Sequence, residues 1–318
     1  MNLGEQNKHC SFRTRLSGLK LFFGLSRTPH GLLDVATPAM AAMLQLGHFP
    51  PMPTILIGLV TAFAGYTAVY SLNDIVDVKV DKERLALKDR ALKVFHVDEI
   101  VAEHPVAQGL IPFKKGLAWV IFWAVIALTG ATILNPVCAM IFLVSACCEG
   151  LYCKLLRITH LKIIPSAIVK ASGGLAGIYA VNPDPPLGFV AFMFLWLACW
   201  EVGGQNIPND IIDMEDDIKV GARTTLTVLG LKESIFIMIV AVSMAAFAGV
   251  AIYFVAGSGV SLVYPFAAAI LGYLTLLRPA RHVYESPGVE TATSLFNRAS
   301  YMPLSFLILT VVSTLITV

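Results

Sequence analysis

Asn73-Asp74-Ile75-Val76-Asp77-Val78-Lys79-Val80-Asp81 places an amide and three carboxylates at the end of an apolar segment. The same N-D-x-x-D-x-x-x-D spacing returns in Asn209-Asp210-Ile211-Ile212-Asp213-Met214-Glu215-Asp216-Asp217. At about 100° of rotation per helical residue, Asn73, Asp74, Asp77 and Asp81 fall within roughly 100° of arc. Like charges on one stripe repel, and a divalent cation among them relieves the repulsion. Hard oxygen donors in this number suit magnesium or calcium. Two such stripes could hold metal on either side of a polyanion, and a diphosphate is the obvious candidate. Acidic residues are unfavourable at a helix C-terminus, so a doubled, identically spaced set is not expected as surface decoration.

The elements that must carry these residues are membrane helices. Hydrophobic residues make up 57% of the 318 and charged ones only 14%, and mean hydropathy is +0.74, far from the soluble average. Apolar runs of about 20 residues, long enough to cross a bilayer, recur at roughly 29–49, 53–72, 116–133, 135–153, 163–181, 187–208, 234–256, 261–277 and 300–317. The expectation is an all-α integral membrane bundle of nine helices, one domain over 29–318. Residues 1–28 are read as a cytoplasmic tail, with no signal peptide, ending in an interfacial stretch over 16–26.

The net charge of +2 says little, but its distribution says more. With a cytoplasmic amino terminus, the outward turns 48–53, 134–136, 181–186 and 257–259 contain no Lys or Arg. This positive-inside pattern fixes orientation and puts both Asp motifs at the cytoplasmic ends of helices 2 and 6. A prokaryotic cytoplasmic membrane is the expected location, and no nucleic-acid partner is expected. The six cysteines lie mostly in predicted helices without a C-x-x-C pair, which reads as buried thiols.

A polyphosphate needs cations as well as metal. Tyr152, Lys154 and Arg157 return to the cytoplasmic face at the end of the fourth span, where positive-inside bias alone would also place basic residues. Arg27 is either a snorkelling anchor or a phosphate ligand. Lys170 lies about two turns into the fifth span, where a charge is costly, so it either pairs with a motif carboxylate or faces the diphosphate. The long stretch 82–115, with Arg84, Lys88, Arg90, Lys93, His96, Asp98, Glu99, Glu103 and His104, is either a lid or a solvated connector. Glu201, Gln205 and Asn206 should face a cavity or another helix. Gly173-Gly174 and Gly203-Gly204 should allow close helix approach, and Pro208 should bend the sixth helix.

The motifs stand 136 residues apart, four crossings if the spans are right, which implies a parallel internal repeat with the two motifs facing each other across a cavity. Together with Ser26-Arg27-Thr28-Pro29 and the continuation of the second motif, Asp217-Ile-Lys-Val-Gly-Ala-Arg-Thr-Thr-Leu-Thr-Val-Leu-Gly, they resemble the UbiA superfamily of intramembrane prenyltransferases, from about Arg27 to the last helix. The resemblance implies nine helices around a lipid-accessible cavity, magnesium as cofactor, a polyprenyl diphosphate donor and a small, often aromatic acceptor. It implies that Asn73, Asp74, Asp77 and Asp81 hold one magnesium and Asp210, Asp213 and Asp217 a second. Asp74, Asp77, Asp210 and Asp213 are then the catalytic carboxylates. Arg27, Asn73, Tyr152, Lys154, Arg157, Lys170 and Asn209 belong to the diphosphate side. The sequence departs from the family where many relatives carry an Arg-Pro element after the first motif. Here the matching stretch is His104-Pro105-Val106-Ala107-Gln108-Gly109, 23 residues after Asp81.

The chemistry implied is departure of the diphosphate, with its developing charge stabilised electrostatically, and attack on the allylic carbocation by an electron-rich acceptor in a dry cavity. The expected acceptor is an aromatic quinone precursor resembling 4-hydroxybenzoate, the runner-up a non-aromatic or tetrapyrrole acceptor. A cation-coupled transporter would want its carboxylates near the bilayer midplane, whereas these cluster at one face. A catalytically dead scaffold of the same fold does not account for two complete motifs.

Overall fold

The computed structural model describes residues 18–87 and 104–317. Cys10 and, in the expected lid, Lys88, Arg90, Lys93, His96, Asp98, Glu99 and Glu103 lie outside the described residues. Every regular element among the described residues is helical. Three short helices open the chain: α1 (Gly18–Leu25), α2 (Thr28–Asp34) and α3 (Ala36–Leu46). Then come α4 (Met52–Val76), α5 (Val78–Leu87), α6 (Phe113–Leu134), α7 (Pro136–Leu155), α8 (His160–Val181) and α9 (Leu187–Ile212). Two more short helices, α10 (Met214–Val220) and α11 (Thr225–Leu229), precede α12 (Leu231–Phe254), α13 (Val263–Glu285) and α14 (Val289–Thr317).

Eight of these, α4, α6 to α9 and α12 to α14, are long and apolar enough to cross a membrane. The first span expected from the sequence is divided at Val35 into helices of 7 and 11 residues, neither of which reaches that length alone. The last begins earlier than expected, at Val289 rather than near 300. Prolines set several starts: Pro29, Pro53 and Pro136 fall in the first turn of their helices, where a missing N–H costs nothing. Others lie inside spans. Pro208 and Pro279 each follow a π-helical turn, Glu201–Asn206 and Tyr273–Leu277. Widening the helix there accommodates a ring that would clash with the carbonyl four residues back.

The main core lies between α3, α8, α9, α12, α13 and α14, around fully buried Trp196, Trp200, Tyr264, Phe306, Met193 and Met238. The glycines of α8 and α9 serve close packing, as expected. A Cβ at Gly177 would come within 2.2 Å of the Pro38 carbonyl oxygen, and one at Gly203 within 2.8 Å of the Val242 nitrogen. A second, smaller cluster matters more for function. Leu25 of α1, Ile75 of α4, Val120 of α6 and the turn residues Val106 and Ile111 pack together, clamping α1 and residues 104–111 onto the first acidic motif. The five described cysteines are free; Cys138 and Cys153 are buried, while Cys147 is exposed.

Candidate functional site

The two motifs share a backbone. Each motif helix ends one residue before its middle aspartate, Asp77 at φ −88°, ψ 4° and Asp213 at φ −93°, ψ 7°. Helical hydrogen bonds nonetheless run through both breaks, from Asp77 N to Asn73 O (2.9 Å) and Asp81 N to Asp77 O (2.9 Å), and from Asp213 N to Asn209 O (2.9 Å) and Asp217 N to Asp213 O (2.8 Å). The helix bends without losing phase, so the first and last aspartates of each motif stay on one face.

In the first motif that face is closed by a histidine. His104 Nδ1 lies 2.7 Å from Asp74 Oδ1 and 3.0 Å from Asp81 Oδ2. The donor atoms of Asp74, Asp81 and His104 all lie within 4.8 Å of one another, and both aspartates are 3% exposed. Burial alone would lower the His104 imidazole, but hydrogen bonds to the two carboxylates prevail and raise it to about 10. Asp77 stands apart, half-buried, its acidity weakened by burial and then by Asp81. Asn73 is held on both sides: Arg27 donates to its Oδ1 (3.3 Å), and its Nδ2 donates to Glu149 Oε1 (2.6 Å) and Cys153 Sγ (3.4 Å). Arg27 adopts a left-handed φ of 44°, uncommon for a side chain of its size.

The second motif uses different partners. Asp210 Oδ2 accepts from the Thr225 backbone N–H (3.0 Å), at the start of α11. Asn209 donates to Asp213 Oδ2 (3.0 Å). Asp217 is paired with Arg84, which stands on α5 three residues beyond Asp81. Burial raises the Asp217 carboxyl to about 6 against the pull of Arg84. For Arg84, burial opposes the charge, but Asp217 prevails and raises its pKa further. Arg84 therefore links the extension of the first motif to the last aspartate of the second.

The expected cations divide. Lys154 is exposed and Arg157, also exposed, pairs with Glu83. Lys162 takes the inward place instead: it is 4% exposed and donates to Tyr152 OH (3.2 Å). Sequence reading missed it because it sits in the first turn of α8, beside a basic stretch where orientation bias already explains a lysine. Its signal was position, immediately before the apolar run of α8. Glu149 was missed as well, although a carboxylate amid the apolar residues of α7 is conspicuous. Lys170 meets residues of α2 and of α4. It donates to Asp34 Oδ2 (2.7 Å) and Tyr70 OH (2.7 Å) and approaches His30 Nε2 (3.3 Å). The sequence alternatives overlooked Asp34 because its residue stood in what reads as an ordinary first span. Glu201 accepts from Ser166 (2.7 Å) and Asn206 (2.8 Å), while Gln205 donates to the Phe296 carbonyl (3.3 Å), so these polar residues do face other helices.

Below the polar end lies an apolar cavity of about 300 Å³, bounded by α3, α4, α6, α7 and α8 and lined among others by Met43, Gly58, Tyr66, Phe142, Ser145 and Gly173. Its lining on α4 runs from Thr54 to Val69, about 22 Å at 1.5 Å per residue, and stops one turn short of Asn73. On α7 it reaches Ser145, one turn from Glu149.

Fold and site together define a membrane-embedded helical protein with a buried polar head site, able to take a metal, set above an apolar chamber. A sequence model of the UbiA prenyltransferase family matches residues 35–301, and the chain belongs to that family. No curated protein sequence is significantly similar to it. Among solved structures it is similar to a digeranylgeranylglyceryl phosphate synthase (19% identity, TM-score 0.65, 94% of this chain and 99% of that one covered). It is also similar to a UbiA homologue from Archaeoglobus fulgidus bound to DMAPP and Mg2+ (14%, 0.66, 93% and 99%). The same homologue bound to GPP and Mg2+ gives 13%, 0.68, 92% and 99%. At these identities the likeness is one of fold.

Proposed function

We propose that this protein transfers a polyprenyl group from its diphosphate to a small aromatic acceptor of the quinone-precursor type, with magnesium at the two motifs. The observation that carries the reading is the meeting of both acidic motifs, joined by Arg84 and Asp217, directly above an elongated apolar cavity. The family assignment and the relatives solved with DMAPP or GPP and Mg2+ support it.

The residues fit a divalent cation. Asp74 Oδ2 is buried and has no hydrogen-bond partner, while the neighbouring carboxylate oxygens now face a histidine and an arginine, which supply the positive charge they require. Asp74, Asp77 and Asp81 would hold one ion with Asn73 alongside, and Asp210, Asp213 and Asp217 the second. When bound, the ions neutralise the charge that develops on the departing diphosphate. The chain's own groups do the rest. Lys162, with Tyr152, lies near Asp210 and Asp217 and adds fixed positive charge where the leaving group accumulates negative charge. Arg27, anchored on Asn73, does the same from the first motif. The apolar lining keeps water from the allylic cation and gives the prenyl chain a slot matched to its shape.

In this reading α2 and α3 act together as the first of nine crossings, since Thr28 to Leu46 spans about 28 Å. The absence of Lys and Arg from the opposite turns supports a site on the cytoplasmic side. The test is to incubate purified protein with radiolabelled geranylgeranyl diphosphate, magnesium and a panel of acceptors. Magnesium-dependent product with a 4-hydroxybenzoate-type acceptor is expected. Product only with a non-aromatic acceptor overturns the acceptor assignment, and no diphosphate release under any condition overturns the chemistry.

A further inference from the structure

We propose that His104 is a direct ligand of the divalent ion at the first motif, making it a mixed nitrogen and oxygen site that favours manganese- or cobalt-type ions over magnesium. This rests on the reading above that the first motif holds a divalent ion.

Geometry brings His104 to the site. Its Nδ1 lies 2.7 Å from Asp74 Oδ1 and 3.0 Å from Asp81 Oδ2, so one nitrogen and two carboxylates offer donor atoms within 4.8 Å of one another. Asp74 Oδ2, buried beside them, has no partner. The imidazole is held there by its backbone. His104 has a left-handed φ of 43°, and the turn behind it is closed by bonds from Gln108 N to His104 O (3.0 Å) and from Leu110 N to Pro105 O (2.9 Å). Val106 and Ile111 then pin the turn in the cluster with Leu25, Ile75 and Val120. Uncommon backbone conformations persist where surrounding structure over-determines them, and here the side chain so fixed is one that can bind metal.

The residue type supplies the selectivity. Once an ion displaces the Nδ1 proton that otherwise bridges the two carboxylates, an imidazole favours first-row transition ions, manganese the weakest of them and cobalt stronger, whereas magnesium prefers oxygen alone.

The experiment uses the full-length protein in nanodiscs loaded with Mn2+ and read by pulsed EPR, which detects a directly coordinated nitrogen independently of turnover. The wild type should show one imidazole nitrogen coupled to bound Mn2+, and His104→Gln should lose that coupling. In His104→Asp, which restores an all-oxygen set, the Mn2+ over Mg2+ preference measured by competition should fall by about tenfold or more, since even residues outside the ligand shell commonly carry 10- to 100-fold in affinity. Bound Mn2+ without nitrogen coupling in the wild type, or a coupling that survives both substitutions, overturns the inference and leaves the metal-dependent reading standing. Mn2+ that stays wholly free in solution overturns both.

Discussion

The two acidic motifs have the same spacing, the same bend and the same backbone hydrogen bonds, yet their side chains are held in different ways. The first is closed from outside its own helix by His104, on a turn locked into a small apolar cluster. The second is held from within the bundle, by the Thr225 backbone at the start of α11 and by Arg84, which belongs to the first motif's own extension. A duplicated backbone thus carries two unequal sites, and the charge balance of the second depends on an element of the first. Identity of spacing in a repeat sets where ligands stand. It does not set what neutralises them.

The largest effect tests whether the unequal sites act as one. Asp74→Asn and Asp210→Asn should each lower kcat/KM for prenyl transfer by about 10²- to 10³-fold, the scale of losing one electrostatic stabiliser of a transition state. Because groups acting as a unit are not additive, the double variant should be no more than about tenfold worse than either. Multiplying losses, measured as initial rates with labelled donor, would show that the two motifs work independently.

A smaller effect separates the inward cation from the outward one. Lys162 is buried against Tyr152 and lies near Asp210 and Asp217, while Lys154, eight residues earlier, is exposed. A hydrogen bond to a charged group is worth about 1.5–3 kcal/mol, so Lys162→Met should reduce kcat/KM by about 10- to 100-fold. Lys154→Met should stay within about twofold, as surface substitutions usually do. The comparison breaks if Lys154→Met is the damaging one.

Much of this architecture can be read without coordinates. The apolar runs mark the helices because a bilayer demands about 20 apolar residues per crossing, and the doubled spacing marks the site because stacked carboxylates need a cation. What escaped was decided by contacts distant in sequence. Nothing local to Lys162 separates it from Lys154, since both are basic residues near the same membrane edge; only packing against Tyr152 does. Asp34 and Lys170 are 136 residues apart and explain one another, but neither announces the other. The break at Val35 did carry a local signal, Pro38, which cannot donate to the Asp34 carbonyl four residues back, although the Val35 N to Gly31 O bond persists at 3.1 Å. His104 was visible as a departure from a family pattern, whereas its contact with two motif aspartates depends on a turn that only the fold closes.

The dependence of one motif on the other can be measured without turnover. Arg84 is one-quarter exposed and its partner Asp217 is buried, 25% and 3% by side chain. Removing one member of a buried pair strands the other, and the partial exposure of Arg84 screens some of that cost. Arg84→Gln should therefore destabilise the metal-free protein by about 1–3 kcal/mol. A divalent ion that binds the native state stabilises it by mass action, and at Asp217 it would supply the charge that Arg84 no longer provides. The deficit should accordingly shrink as magnesium is raised in a thermal-shift titration, while the matched variant Arg157→Gln, which breaks only the exposed pair with Glu83, should show no magnesium-dependent recovery. An Arg84→Gln deficit that stays constant across the titration would mean that Asp217 takes no part in binding the ion, and the second motif would then hold its cation through Asp210 and Asp213 alone.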